Sequence, residues 1–218
     1  MLLQAISSGS TWTEILIMMA YLVPALLIGF SFHEAAHAYA AFRAGDPTAR
    51  NLGRMSLDPL RHLDPMGTLM LLLVGFGWAK PVPINPRNFR TPRRDEFVVS
   101  IAGILTNFVL AFFAMGLYVL LSTKGWYDRL GVILNFLIYL VQINVVLAVF
   151  NLIPLPPLDG HHLVTAVFPR TERFYYSIAR YGFWILIGVL FILNQFNILE
   201  TVVWSIINKF YAFYKLFM

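Results

Sequence analysis

Apolar residues run along this chain in long blocks, without the short-period alternation of a helix or strand that faces water on one side. The blocks fall at 13–43, 66–79, 96–122, 131–153 and 183–199, followed by an aromatic tail to 218. An α-helix needs about 20 apolar residues to cross a bilayer. The pattern therefore predicts an all-α polytopic membrane protein with about five to six transmembrane helices. The second block departs from the rest, because its 14 residues would make a helix of about 21 Å against a hydrocarbon core of about 30 Å. A re-entrant or interfacial segment near 66–90 is expected instead. Pro24 predicts a kink in the first helix. NQFN at 194–197 predicts a turn, after which 200–217 is either a sixth span or an interfacial helix. No stretch has the length or composition of a separate soluble unit, so residues 1–218 read as a single domain.

Charge sharpens the topology. Lys and Arg number nine between Arg43 and Arg94, and Arg170, Arg173 and Arg180 follow the fourth block, whereas the loop between the third and fourth holds Lys124 and Arg129 alone. Cytoplasmic loops are enriched in basic residues. If 66–79 does not cross, both basic regions lie in the cytoplasm, and the end of the first helix shares a membrane side with the stretch around residue 155. The formal charge of +5 is then a property of loops at a membrane surface, and nucleic acid is excluded as a partner. Composition agrees: 59% of residues are hydrophobic and 12% charged, with a mean hydropathy of +0.70, against about a quarter charged in soluble domains. With no cysteine, disulfides and thiolate metal sites are ruled out. The start, MLLQAISSGSTW, lacks a basic n-region, so the first hydrophobic helix is expected to target the chain and remain.

Inside the first block, LLIGFSFHEAAHAYAAF carries His33, Glu34 and His37. Ionisable groups within membrane helices are rare and mark function. The motif is H-E-x-x-H: on a helix the two histidines share a face and can grip one cation. Glu34, one step round, can take a proton from a water that zinc has acidified, which suits hydrolysis of a carbonyl compound. Two histidines do not complete a catalytic zinc site, which takes three protein ligands. NLIPLPPLDGHH at 151–162 offers Asp159, His161 and His162 where prolines end the fourth helix. Asp159 would be costly in lipid unless paired or coordinated. His161 and His162 are rival ligands or loop histidines near headgroups, and His62 reads as structural.

Four pieces now resemble one family: FHEAAHA (32–38), LDPLRHLDPMGT (57–68) with GWAKPVPINPRNF (77–89), AGILTNF (102–108) and NLIPLPPLDG (151–160). In this order they resemble the site-2 proteases, intramembrane zinc metalloproteases, in their short prokaryotic branch. The resemblance implies one Zn2+ per chain held by His33, His37 and Asp159, with Glu34 as general base. It also implies Asn151 as a polar group holding the substrate carbonyl or its oxyanion. Substrates would be transmembrane proteins, cut in or near their spans, by an enzyme of the cell (inner) membrane whose active site faces the cytoplasm. Departures from the family pattern are Ile104, where proline is frequent, and His161 and His162 after the LDG triplet. No loop has room for a PDZ or CBS module.

Two further stretches have a double reading. The prolines of KPVPINPR (80–87) forbid helix and favour extended backbone, either as an edge that pairs with an unwound substrate or as a rigid cover. Ala36, Ala40 and Ala44, and likewise Gly103 and Asn107, recur at four-residue spacing, a pattern of close helix packing in which Asn107 would serve as interhelical glue. The competing functions are a membrane metal transporter or metal-binding protein, and an inactive relative that binds clients. The polar groups of the other long helices are Asn135, Gln142 and Asn144, too few for a polar route across, and Glu34 would be needless for binding alone. A prenyl-protein protease type of site would want a later glutamate ligand, and Glu172 and Glu200 lie in no such motif.

Overall fold

The computed structural model describes residues 9–74, 79–123 and 126–217. Its first helix, α1 (Trp12–Ala44), opens on a capping box in which Thr11 and Glu14 bond each other's backbone, and closes on Gly45 in the left-handed region at φ 110°. That box satisfies two amides that would otherwise lack partners at a helix start, and the glycine takes a backbone conformation that other residues resist. The expected kink at Pro24 does not interrupt the helix. A short helix, α2 (Thr48–Asn51), follows.

The 66–79 block behaves as its length predicts. Helix α3 (Pro65–Val74) has 10 residues, about 15 Å. The chain on either side of the block meets in an antiparallel bridge between Leu63 and Ala79, supported by Lys80 N–H donating to the His62 carbonyl at 2.8 Å. A segment whose two ends are paired does not cross, so it is a hairpin. Residues 75–78 lie outside the described residues.

Helices α4 (Pro92–Thr123) and α5 (Tyr127–Asn151) complete a three-helix core with α1. Leu22, Ala25 and Leu26 of α1 meet Ala111, Met115 and Val119 of α4 and Leu137, Val141 and Val145 of α5. The chain then turns through residues 152–158 into α6 (Asp159–Val167), α7 (Glu172–Ala179), α8 (Gly182–Gln195) and α9 (Ile198–Lys215). Val203 and Ile207 of α9 close the core.

The protein is thus an all-α membrane protein. Among the described residues, three helices are long and apolar enough to cross: α1, α4 and α5 from Arg129. The segment 169–179 meets α8 at 95°, and counting that pair as one broken span gives four. The count stays below five to six for physical reasons. The 66–79 block is a hairpin, the 14 residues of α8 make about 21 Å, and α9 carries Glu200, Lys209 and Lys215.

Candidate metal centre

His33, Glu34 and His37 sit on the α1 face turned towards α4, and each is at most 9% exposed. Three residues of α4 at four-residue spacing build the facing wall. Val99 offers its carbonyl to His37 Nδ1 at 2.7 Å, and Asn107 offers Oδ1 to His33 Nδ1 at 2.6 Å. Gly103 lies between them, where a Cβ would stand 2.5 Å from His37 Nε2 and 2.6 Å from His33 Cε1. Only glycine leaves room for both rings against the α4 backbone.

Asp159 reaches the same place from the other end of the sequence. After Asn151 the chain folds back through its prolines, with Leu158 extended and Asp159 as the first residue of α6. Gly160 makes that turn possible, because a Cβ there would lie 2.6 Å from the Leu152 carbonyl oxygen and closer still to that of Ile153. The carboxylate in the first turn also faces the positive end of the helix.

The result is a triangle. Asp159 Oδ2 lies 3.1 Å from His33 Nε2 and 3.1 Å from His37 Nε2, and the two Nε2 atoms are 3.0 Å apart. Each ring's Nδ1 faces an oxygen acceptor and so carries the hydrogen, which leaves Nε2 with a lone pair. Three acceptor atoms then converge with no hydrogen among them, an arrangement that a cation satisfies. Tetrahedral zinc with ligands at about 2.0–2.2 Å separates them by about 3.3 Å, close to what is observed. Among the described residues, His33, His37 and Asp159 form the one group of histidine or acidic side chains converging in this way.

Glu34 stands beside the triangle, and its Oε2 accepts the Val82 N–H at 2.9 Å. Val82 belongs to the proline-rich stretch, which four contacts fasten over the C-terminal end of α1. Arg54 donates to the Lys80 carbonyl at 2.5 Å. Asp46 accepts from Asn85 N–H at 2.7 Å and Asn88 Nδ2 at 2.7 Å. Arg90 N–H donates to the Ala44 carbonyl at 3.0 Å. Burial works to raise the Asp46 pKa, but hydrogen bonds from Asn85, Thr48 and Asn88 outweigh it and hold the carboxyl below the usual carboxylate range. Val82 itself is buried against Ala38 and Ala49. Residues 80–85 have neither helix nor strand pairing among the described residues, and Pro86–Asn88 then close into a 3-10 turn capped by Asn85, so the expected extended backbone stops short of Arg87.

The other candidate residues make their recorded contacts elsewhere than on the triangle. Asn151 is half-buried and donates Nδ2 to the Leu147 carbonyl at 3.0 Å, within its own helix. His161 directs Nδ1 at the Leu158 carbonyl, 2.5 Å away, and its ring lies tilted against that of His162, with centroids 3.8 Å apart. His162 in turn faces Glu96 at 3.3 Å. His62 is 1% exposed and holds the Ser56 carbonyl at 2.7 Å, a structural contact. Sequence reasoning missed the Val99 carbonyl and the Val82 amide, which are backbone groups without a residue signature. It also gave Asn107 a packing role, where the structure adds contact with His33.

Residues 21–194 match the model of peptidase family M50. YwhC of Bacillus subtilis (strain 168), named as a zinc metalloprotease, is 44% identical over 180 residues, 80% of this chain and 81% of its own length. Rip2 of Mycolicibacterium smegmatis, also named as a zinc metalloprotease, is 30% identical over 75% of this chain and 64% of its own. Rip2 of Mycobacterium tuberculosis (strain H37Rv), with the same kind of name, is 32% identical over 67% of this chain and 57% of its own. No solved structure matches the chain.

Proposed function

The chain belongs to peptidase family M50, the site-2 protease family, and is a zinc metalloprotease; from that premise we propose that it hydrolyses peptide bonds in or beside the transmembrane segments of other membrane proteins. One observation carries the reading: two histidines and an aspartate converge at 3.0–3.1 Å beside a buried glutamate, on membrane-spanning helix α1. In this proposal His33, His37 and Asp159 hold one zinc ion. When bound, that ion supplies Lewis acidity and makes a water molecule a nucleophile near neutral pH.

The chain's own residues do the rest. Glu34 is the general base: it takes the proton of the attacking water and passes it to the leaving amine. Its backbone partner, Val82 N–H, keeps one carboxylate oxygen fixed and leaves the other to face the reaction. Asn151 has a second amide hydrogen beyond the one on Leu147, and turning it towards the developing oxyanion would give about 3 kcal/mol of transition-state stabilisation. The non-helical stretch 80–85 can pair with a substrate whose helix has unwound, because a scissile carbonyl inside a helix is otherwise hydrogen-bonded and dry. Basic residues flanking α1 and α4 support a site near the cytoplasmic surface of the cell membrane.

The test is Glu34→Gln in the full chain, purified in detergent and mixed with a single-span model substrate. The variant is expected to keep zinc and fold while losing cleavage. Cleavage at the wild-type rate would end the mechanism as written.

A further inference from the structure

The helix core contains a chain of buried amides that ends on a metal-site histidine. Asn107 and Asn144 are each 0% exposed. Asn107 Nδ2 donates to the Gly29 carbonyl at 3.1 Å and to Asn144 Oδ1 at 2.7 Å, while its Oδ1 faces His33 Nδ1. Asn144 Nδ2 donates to the Leu140 carbonyl at 2.8 Å. We propose that Asn107 is a positioning residue that locks His33 in the tautomer whose Nε2 lone pair faces His37 and Asp159, with Asn144 locking the orientation of Asn107 in turn. This rests on the zinc-site reading above.

The direction of every link follows from one group that cannot flip. The Leu140 carbonyl is backbone and accepts only, so Asn144 must present its NH2 there and its oxygen to Asn107. Asn107 must then present NH2 to both Asn144 Oδ1 and Gly29 O, which uses both of its donors. Its own oxygen is left for His33, whose Nδ1 must carry the hydrogen. Turning the Asn107 amide over would set oxygen against oxygen at two buried contacts. A role as glue between α1, α4 and α5 would need the NH2 alone. The use of Oδ1 on His33 is what glue does not explain.

The inference separates from packing through two substitutions of opposite chemistry. Asn107→Leu preserves volume and removes the acceptor. Asn107→Asp preserves the acceptor towards His33 but removes the NH2, so that a carboxylate oxygen meets Asn144 Oδ1 and the Gly29 carbonyl and the glue is lost. If Asn107 acts through the His33 tautomer, Asn107→Leu weakens zinc binding about 10- to 100-fold, and Asn107→Asp stays within about threefold of wild type. If it acts through packing, Asp is the more damaging of the two. The readouts are zinc affinity by chelator competition and, on the zinc-free protein, the nitrogen-15 resonances of His33. The latter are expected to show hydrogen on Nδ1 in wild type and a mixture of tautomers in Asn107→Leu and Asn144→Leu. Zinc affinity in Asn107→Leu within about threefold of wild type overturns the inference. If Asn107→Leu does not fold, Asn107→Asp and Asn144→Leu decide: His33 resonances unchanged in Asn144→Leu, or a tenfold loss of affinity in Asn107→Asp, overturn it. A wild-type chain that takes up no zinc would remove the site and this inference together, whereas a zinc-binding wild type with an indifferent Asn107 removes the inference alone.

Discussion

Gly103→Ala adds one methyl group at the point where α4 touches both histidines. In an ordinary helix interior the change stabilises by about 1 kcal/mol, since alanine is the better helix former. Here the new carbon would stand 2.5 Å from His37 Nε2, 2.6 Å from His33 Cε1 and 2.7 Å from His33 Nδ1, against 3.4–4 Å for ordinary contact. The difference at His37 is about 0.9 Å, and both rings are tied to the same helix by the Val99 carbonyl and Asn107 Oδ1. Relief therefore requires the rings or the two helices to move apart, which stretches the hydrogen bonds to Val99 and Asn107. Overpacking of this kind costs about 1–3 kcal/mol, so net stability falls by about 2 kcal/mol or less. The effect on chemistry is larger, because a displacement near 1 Å of a catalytic group costs about 100-fold in rate. We expect zinc affinity to fall at least tenfold, cleavage to fall about 100-fold, and the thermal midpoint to shift by a few degrees. Chelator competition, single-span substrate cleavage and a melt in detergent measure the three. Wild-type zinc affinity and turnover in Gly103→Ala would refute the wall of α4 as the boundary of the site.

Asp159→Ala is expected to purify with little or no zinc, and full metal content would shift the third ligand to His161 or His162. Val82→Pro deletes one N–H in a stretch already extended between Pro81 and Pro83; it should lower turnover about 10- to 100-fold, the value of a hydrogen bond to a charged group, with zinc content unchanged by metal analysis. Zinc at about 100 times its dissociation constant should stabilise the protein by about 2.7 kcal/mol, seen as a higher melting midpoint that chelation reverses. The Asp46 pKa is lowered in the folded chain, so its hold on Asn85 and Asn88 is complete above the ordinary carboxylate range, about pH 4. That hold is lost as pH falls through the depressed value. Hydrogen exchange at Asn85 should therefore accelerate below that range in wild type and show no such step in Asp46→Asn.

What the sequence made legible was what local pattern encodes. Four-residue spacing set His33 and His37 on one face, and block length alone distinguished the 66–79 hairpin from a span. Asp159 stood out because a carboxylate beside helix-ending prolines needs a partner, and its side chain does reach the histidines. The contacts that orient those groups were not legible. Asn107 and His33 are 74 positions apart, and Glu34 and Val82 are 48 apart, so no periodicity joins them. Gly103 and Asn107 advertised close packing, and a spacing cannot say which neighbour the amide oxygen meets. In the tail the turn expected at NQFN is present, with Asn197 in the left-handed conformation, while the short α8 and the charges of α9 keep either from passing as a span by itself.

The triangle joins residues 122 positions apart, with the histidines in the first helix and the aspartate beyond the third long one. In chain order HEAAH comes early, and its third partner follows only when about three quarters of the 218 residues have been made. A nascent chain, and any product truncated before residue 159, therefore carries the two histidines without the third side chain of the triangle, one short of the three protein ligands that a catalytic zinc site takes.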